Sequence, residues 1–314
     1  MTYDTIPCNP QASPEAAALL ERLCRAAGQE ILSGQHTQTQ PMEERARIHE
    51  LTGRYPKVVG FEMLSYSRNI NYEDASSACL TEVYENRGTM DTALELAQDP
   101  EVILTMCFHW FSPAGGRDKA FYSEHTDFDP EWIETDPAMQ KLFYEDLDVI
   151  AGQLARFRDR NIPILWRPFH EAEGTWFWWG RKGAGVTRDL YIRMYRYLTQ
   201  EKGLNNLLWV WSSPVEGAYP GDDYVDVVGW DIYLPEKKAT DYADYYEKLT
   251  ACTSPKKVHA LTEIGYLPDP GQLAEGKAPW AYFMTWSKEF MLTEQFNTRE
   301  DVKRVYADPY VVSL

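Results

Sequence analysis

Eight short apolar runs recur along the chain with helical patterns between them, and this alternation restricts the fold more than any other feature. The runs are Ile31 to His36, Lys57 to Met63, Val102 to Trp110, Ile162 to Glu171, Leu207 to Ser212, Val225 to Tyr233, Val258 to Gly265 and Trp280 to Trp286. Each is apolar almost without interruption, as a parallel strand covered on both faces must be. The stretches between them carry helix signals. Ser13-Pro14 pairs an N-cap with a first-turn proline, and Gly28 stops that helix. Asp136-Pro137 repeats the device before Met139, Phe143, Leu147, Ile150, Leu154 and Phe157, a stripe with helical spacing. A further helix is expected to begin at Thr187 and to run through Leu190, Met194 and Leu198.

Eight βα units in 314 residues predict an α/β fold, a (β/α)8 TIM barrel, as a single catalytic domain over residues 1–314. An open doubly wound sheet is the rival. It would normally carry a glycine-rich first turn, and neither GxGxxG nor GxxxxGK[ST] occurs. Two connections are long, Leu64 to Gly88 and Phe111 to Thr135. Long loops in such a frame either build sites or are tolerated insertions.

Charge narrows the partners. The 48 acidic residues outnumber the 31 Lys and Arg, for a formal net charge of -17. That field opposes nucleic acid and anionic membranes, whereas a neutral ligand incurs no penalty. Aromatic residues make up 14% of the chain, with 11 Trp and 20 Tyr, and such rings offer platforms for flat ligands. The five Cys (8, 24, 79, 107 and 252) lack zinc spacing and read as packing residues, with two disulfides at most. No run approaches the roughly 18 apolar residues of a membrane span. Met1-Thr2-Tyr3-Asp4 is not a basic-then-apolar leader, which fits a cytoplasmic protein or an exported one without its leader.

Barrel chemistry sits at the C-terminal strand ends. Those ends carry Gln35-His36, Glu62, His109-Trp110, His170-Glu171, Asp231 with Tyr233, Glu263 and Trp286. Glutamates on the fourth and seventh strands, facing one mouth among tryptophans, suit glycoside hydrolysis, where one carboxyl protonates the leaving oxygen while another acts on the anomeric carbon or on water. The plainer alternative makes them structural ion-pair partners.

Arg167-Pro168-Phe169-His170-Glu171, followed by Trp176-Phe177-Trp178-Trp179-Gly180, resembles the signature of glycoside hydrolase family 26. Further resemblances run in order along the chain: Ile31 to His36, Phe108-His109-Trp110, Tyr219 to Asp226 with Gly229 to Tyr233, Thr262-Glu263-Ile264-Gly265 and Met284-Thr285-Trp286-Ser287. The resemblance implies a retaining β-1,4-mannanase without a cofactor or a catalytic metal. Glu171 would be the acid/base and Glu263 the nucleophile, with carboxyls about 5–5.5 Å apart as retention requires. His109 and His170 would contact the sugar in the −1 subsite, Trp286 would form its floor, and Trp176 would stand toward the leaving group. Trp110 and Trp179 are further substrate-binding candidates, although at least one of Trp178 and Trp179 belongs in the core. Arg167 either holds Glu263 ionised or pairs structurally; Tyr233 either donates to the nucleophile or packs.

Ala172-Glu173-Gly174 departs from the commoner pattern, in which a small polar residue such as Asn is frequent, and adds a third carboxylate that either binds a hydroxyl or faces solvent. The family also includes mixed-linkage β-glucanases and β-1,3-xylanases, and the sequence leaves endo or exo action open. A non-catalytic glycan-binding barrel is the reading from another class, and the presence of both glutamates argues against it. The expected partner is β-mannan or its oligosaccharides, acted on by a monomer. Family members are mostly secreted or attached to the cell envelope.

Overall fold

The computed structural model describes residues 2–314. Eight parallel strands close on themselves: β1 (Ile31–Leu32 continuing as Gly34–His36), β2 (Val58–Glu62), β3 (Ile103–Cys107), β4 (Ile164–Arg167), β5 (Leu207–Ser212), β6 (Val227–Ile232), β7 (Val258–Ile264) and β8 (Trp280–Thr285). Each pairs with the next, and β8 returns to β1 through Leu32–Tyr282 and Gln35–Thr285. This is a (β/α)8 barrel. A short ninth strand, Val311–Val312, adds to Ile31–Leu32 from outside.

The α-helices of eight or more residues are α1 (Pro14–Ala26), α2 (Glu43–Thr52), α3 (Ser77–Glu85), α4 (Thr89–Leu96), α5 (Pro137–Arg158), α6 (Ala184–Tyr195), α7 (Ala243–Cys252) and α8 (Arg299–Ala307), and single turns at Trp132–Thr135, Pro270–Leu273 and Glu289–Leu292 add to them. The caps read from sequence form as expected: Ser13 Oγ accepts from Ala16 N–H, and Asp136 accepts from the N–H groups of Ala138 and Met139. Two expectations need correction. Thr187 lies inside α6, which starts at Ala184 after Gly183, and its hydroxyl donates to Trp179 O and Gly183 O. Between β5 and β6 there is no helix. Asp226 organises that connection by accepting from the backbone N–H of Cys8 and of Trp209.

The α1 side chains Leu19, Leu20 and Leu23 form one apolar cluster with Leu32, Val58, Leu208 and Val258 from the early parts of the strands. Helix α1 thus packs across the N-terminal end of the barrel, and the opposite mouth is left for chemistry. A second, larger cluster joins strands and outer helices. All five cysteines are free, with Cys79 and Cys107 buried. No helix among the described residues is long and apolar enough to cross a membrane.

Asp146 on α5 ties the two long loops to this frame. Its buried carboxyl accepts from Trp110 Nε1 (2.8 Å) at the end of β3 and from Asn69 Nδ2 (3.3 Å) in the Leu64–Gly88 loop. Burial pushes Asp146 up to about 7, against the pull of the Trp110 and Arg68 donors. The folded state therefore holds a proton that the unfolded chain releases near pH 4, and stability from this group falls as pH rises from about 4 to 7. Wild type should lose up to about 4 kcal/mol relative to Asp146→Asn across that window. Urea unfolding of both proteins at several pH values checks this; a difference independent of pH contradicts it.

Candidate active site

The strand ends are shaped by local backbone chemistry. Regular pairing on β4 stops at Arg167, because Pro168 has no N–H to donate. Phe169 and Glu171 then take left-handed conformations, with φ of 53° and 54°, and Glu171 N–H donates to Ser212 O on β5. Such backbone is unfavourable for residues with a side chain and persists where the surroundings enforce it. Here it turns the Glu171 side chain into the cleft. Gly229 on β6 serves the same region: a Cβ there would come within 2.2 Å of the Thr262 side chain, which helps to hold Asp231.

Arg167 sits at the centre, 1% exposed. Its Nη1 donates to Asp231 Oδ2 at 2.6 Å and its Nη2 to Glu263 Oε2 at 2.7 Å. Asp231 Oδ1 also accepts from Ser212 Oγ and Thr262 Oγ1. On its other oxygen Glu263 accepts the Tyr233 hydroxyl. Glu171 is held differently. Its carboxyl accepts Trp176 Nε1 at 2.8 Å, and among the described residues no cation lies within ion-pair distance.

Burial raises both carboxyls above the ordinary carboxylate range, with the Asp231 charge adding to each and Arg167 opposing. The two interact, so they lose their protons as a pair. The donors favour the charge on Glu263, which alone has a guanidinium and a phenol donating to it.

Both face one cleft of about 250 Å³, open at its mouth, whose walls include His36, His109, Tyr122, Phe177 and Trp286. Trp286 stacks on His36 at 4.1 Å, leaving its other face to the cleft. Glu62 fixes His109: one oxygen accepts the backbone N–H of His109 and of Leu64, and the other accepts Nδ1 at 2.6 Å. Burial works against the positive charge on His109, but Glu62 outweighs it and raises the imidazole above its ordinary value. Its Nε2 meets His170 Nε2 at 3.1 Å. His170, expected from the sequence to contact the sugar, is instead buried behind His109, and its pKa is lowered by burial and then by Arg167.

Trp176 is 46% exposed beside Glu171, and Tyr233 also reaches solvent. Trp110 and Trp179 correct the sequence expectation. Both are fully buried, with Nε1 donating to Asp146 and to His170 O respectively, so neither ring presents a face to a ligand. Trp178 is core as well. Glu173 is exposed and accepts from Ser213 Oγ and Trp230 Nε1. Sequence reading did not assign roles to Glu62, Asp231 or His36, although all three stand at strand ends, where the chemistry of this fold collects. Among the described residues, Glu62, Cys107 and His109 are the one group whose potential metal-ligand atoms lie within 4.8 Å of one another. Those atoms are engaged in hydrogen bonds among themselves.

The family model for glycosyl hydrolase family 26 matches residues 8–314. The chain belongs to this family. It is 35% identical to a mannan endo-1,4-β-mannosidase of Thermothelomyces thermophilus, over 98% of this chain and 62% of that protein. It is 29% identical to mannan endo-1,4-β-mannosidase B of Piromyces sp., over 98% of this chain and 52% of that one. The chain thus spans between half and two thirds of the length of these curated relatives. Among solved structures, the Podospora anserina GH26-CBM35 β-(1,4)-mannanase aligns with a TM-score of 0.88 at 32% identity, over 99% of this chain and 68% of that chain. A β-mannanase from a symbiotic protist of the termite Reticulitermes speratus, complexed with gluco-manno-oligosaccharide, aligns with a TM-score of 0.87 at 31% identity, over 99% and 97%.

Arg167→Met keeps the volume and removes the charge, which leaves Asp231 and Glu263 buried and facing each other. The loss should be about 3–5 kcal/mol at neutral pH. It should shrink as pH falls, because both carboxyls then bind protons in the folded state. Chemical denaturation at pH 5 and 7.5 checks this, and equal losses at the two values contradict it.

Proposed function

We propose that this family 26 domain is a retaining endo-β-1,4-mannanase acting on mannan, glucomannan or galactomannan. The unequal environment of two glutamates in one cleft carries the reading: Glu263 held by Arg167 and Tyr233, Glu171 by an indole alone. Glu263 attacks the anomeric carbon as the bond to the leaving oxygen breaks, and Glu171 gives that oxygen its proton. Sugar and Glu263 are then joined as an ester, the Glu263 charge is gone, and Glu171 is free to stay ionised. It takes a proton from water as the water oxygen attacks the same carbon, which restores both carboxyls and the original anomeric configuration.

His109 and the free face of Trp286 line the place where the −1 sugar sits, with His170 steadying His109 from behind. Trp176, bonded to Glu171, marks the leaving-group side. The mannan specificity is supported by the relatives named above, each a mannan endo-1,4-β-mannosidase or β-mannanase. We take the barrel to act as one domain and as a monomer, on polymer outside the cell.

Hydrolysis of mannohexaose, glucomannan and mixed-linkage β-glucan tests the reading, with products resolved by size and anomeric configuration followed by NMR. Wild type should convert the mannan substrates to mixed oligomers with retention, and Glu171→Ala or Glu263→Ala should lower turnover by about a thousandfold or more. Activity confined to β-glucan contradicts the substrate; inversion contradicts the mechanism. Binding without hydrolysis by wild type overturns the enzyme reading.

A further inference from the structure

The ends of β2 and β3 bring three donor atoms to one point. Glu62 and Cys107 are register partners on these neighbouring parallel strands, so their side chains leave the sheet on the same side. His109 follows Cys107 by two residues and returns to that side. Glu62 Oε2 accepts from Cys107 Sγ at 3.0 Å and from His109 Nδ1 at 2.6 Å. The three atoms lie within 4.8 Å of one another, and Glu62 and Cys107 are buried. Glu62 and His109 line the cleft, so the cluster opens toward solvent.

Two features fit this cluster to a cation beyond the closeness of its atoms. Glu62 Oε1 is taken by the backbone N–H groups of Leu64 and His109, which fixes the carboxylate and leaves Oε2 as its coordinating atom. On the far side of the His109 ring, Nε2 lies 3.1 Å from His170 Nε2. A metal-bound imidazole donates its other N–H to a fixed partner, and buried His170 stands in the place to accept it.

Charge and size both match a divalent ion. With His109 protonated and Glu62 ionised, the trio with the Cys107 thiol is neutral. A divalent cation that displaces the thiol proton and the Nδ1 proton to solvent leaves it neutral again, so no uncompensated charge is buried. Tetrahedral zinc takes sulfur at about 2.3 Å and nitrogen or oxygen at about 2.0–2.2 Å, a spacing the present contacts reach with shifts of roughly 0.5–1 Å. Thiolate, imidazole and carboxylate together suit zinc and other thiophilic ions rather than magnesium or calcium, which take oxygen. Cys107 is not among the cleft walls, so sulfur closes the inner side and the fourth position lies toward the cleft.

We propose that Glu62, Cys107 and His109 form an inhibitory site for a thiophilic divalent cation of the zinc class, reached from the cleft. The ion draws Glu62 and His109 onto itself and puts a charged, hydrated centre beside the catalytic pair, so metal and substrate exclude each other. Binding of the ion is independent of the mannanase reading; the inhibition rests on it.

Cobalt(II) is the probe for binding, because a thiolate ligand gives it an intense charge-transfer band in the near ultraviolet. One cobalt per chain should bind wild type with this band, and zinc should displace it. Cys24→Ser and Cys252→Ser should keep the band. Cys107→Ser, which retains a donor for Glu62, should lose it and bind zinc at least about tenfold more weakly. Should that variant not fold, zinc-edge X-ray absorption of the wild-type complex decides, with one sulfur neighbour expected at about 2.3 Å. In mannopentaose hydrolysis, zinc should raise KM and leave kcat unchanged, and Cys107→Ser should need at least about tenfold more zinc for the same effect. A sulfur-free zinc shell, a band retained in Cys107→Ser, or zinc binding that leaves KM unaltered in an active wild type overturns the proposal. A cobalt–thiolate band in a wild type inactive on mannopentaose without metal overturns the mannanase reading and leaves the metal site standing.

Discussion

One guanidinium between two buried carboxylates governs this site. Arg167 is enclosed by the barrel and bonded to Asp231 and Glu263, so the trio, when both carboxyls are ionised, carries one net negative charge that is almost wholly buried. Ionising Glu171 as well would place a second uncompensated charge nearby in a region of low dielectric. In the proposed mechanism the site avoids this by keeping a proton on Glu171, the carboxyl with no cation of its own. On that proposal a proton donor and a nucleophile arise from two chemically identical side chains through their partners alone. Esterification of Glu263, as proposed, would remove its charge and reverse the preference, which is what the second half of a double displacement requires.

The rest of the barrel keeps this charge arrangement in register. Ser212 and Thr262 fill the remaining lone pairs of Asp231, and Gly229 leaves room for Thr262 to do so. Pro168 and the left-handed residues Phe169 and Glu171 bring Arg167 inward and Glu171 to the cleft within five residues. Glu62 plays a similar part for His109, and Asp146 joins α5 to the loops that carry Trp110 and Asn69. The closed end of the barrel, plugged by α1, is occupied by apolar packing, and the buried polar groups of the catalytic site gather at the other.

The barrel was legible because eight strands covered on both faces leave apolar runs that no loop would carry. Both glutamates were legible for a related reason: a carboxylate that ends such a run is conspicuous. The tryptophans show where this reading stops. Trp110 directly follows His109, and neighbours in an extended chain point to opposite sides, so a cleft-facing histidine sends the tryptophan into the packing layer. Periodicity places Trp178 and Trp179 no better, because their segment is irregular and each indole is fixed by a distant carbonyl. The helix missing between β5 and β6 had a visible cause in Pro214, Gly217, Pro220 and Gly221. The meeting of Glu62 with Cys107 had none, since residues 45 apart in the chain come together only once β2 and β3 have paired.

The division of labour between Glu263 and Glu171 is tested most directly by trapping the covalent intermediate. A 2-deoxy-2-fluoro-β-mannoside with a dinitrophenolate leaving group needs little protonation to react, and its fluorine slows release of the sugar from the enzyme. Mass spectrometry of the peptides after brief exposure should find a single added fluorosugar on Glu263, formed also in Glu171→Ala and absent from Glu263→Ala. A sugar attached to Glu171, or turnover of natural substrate with inversion and no adduct, would contradict the account.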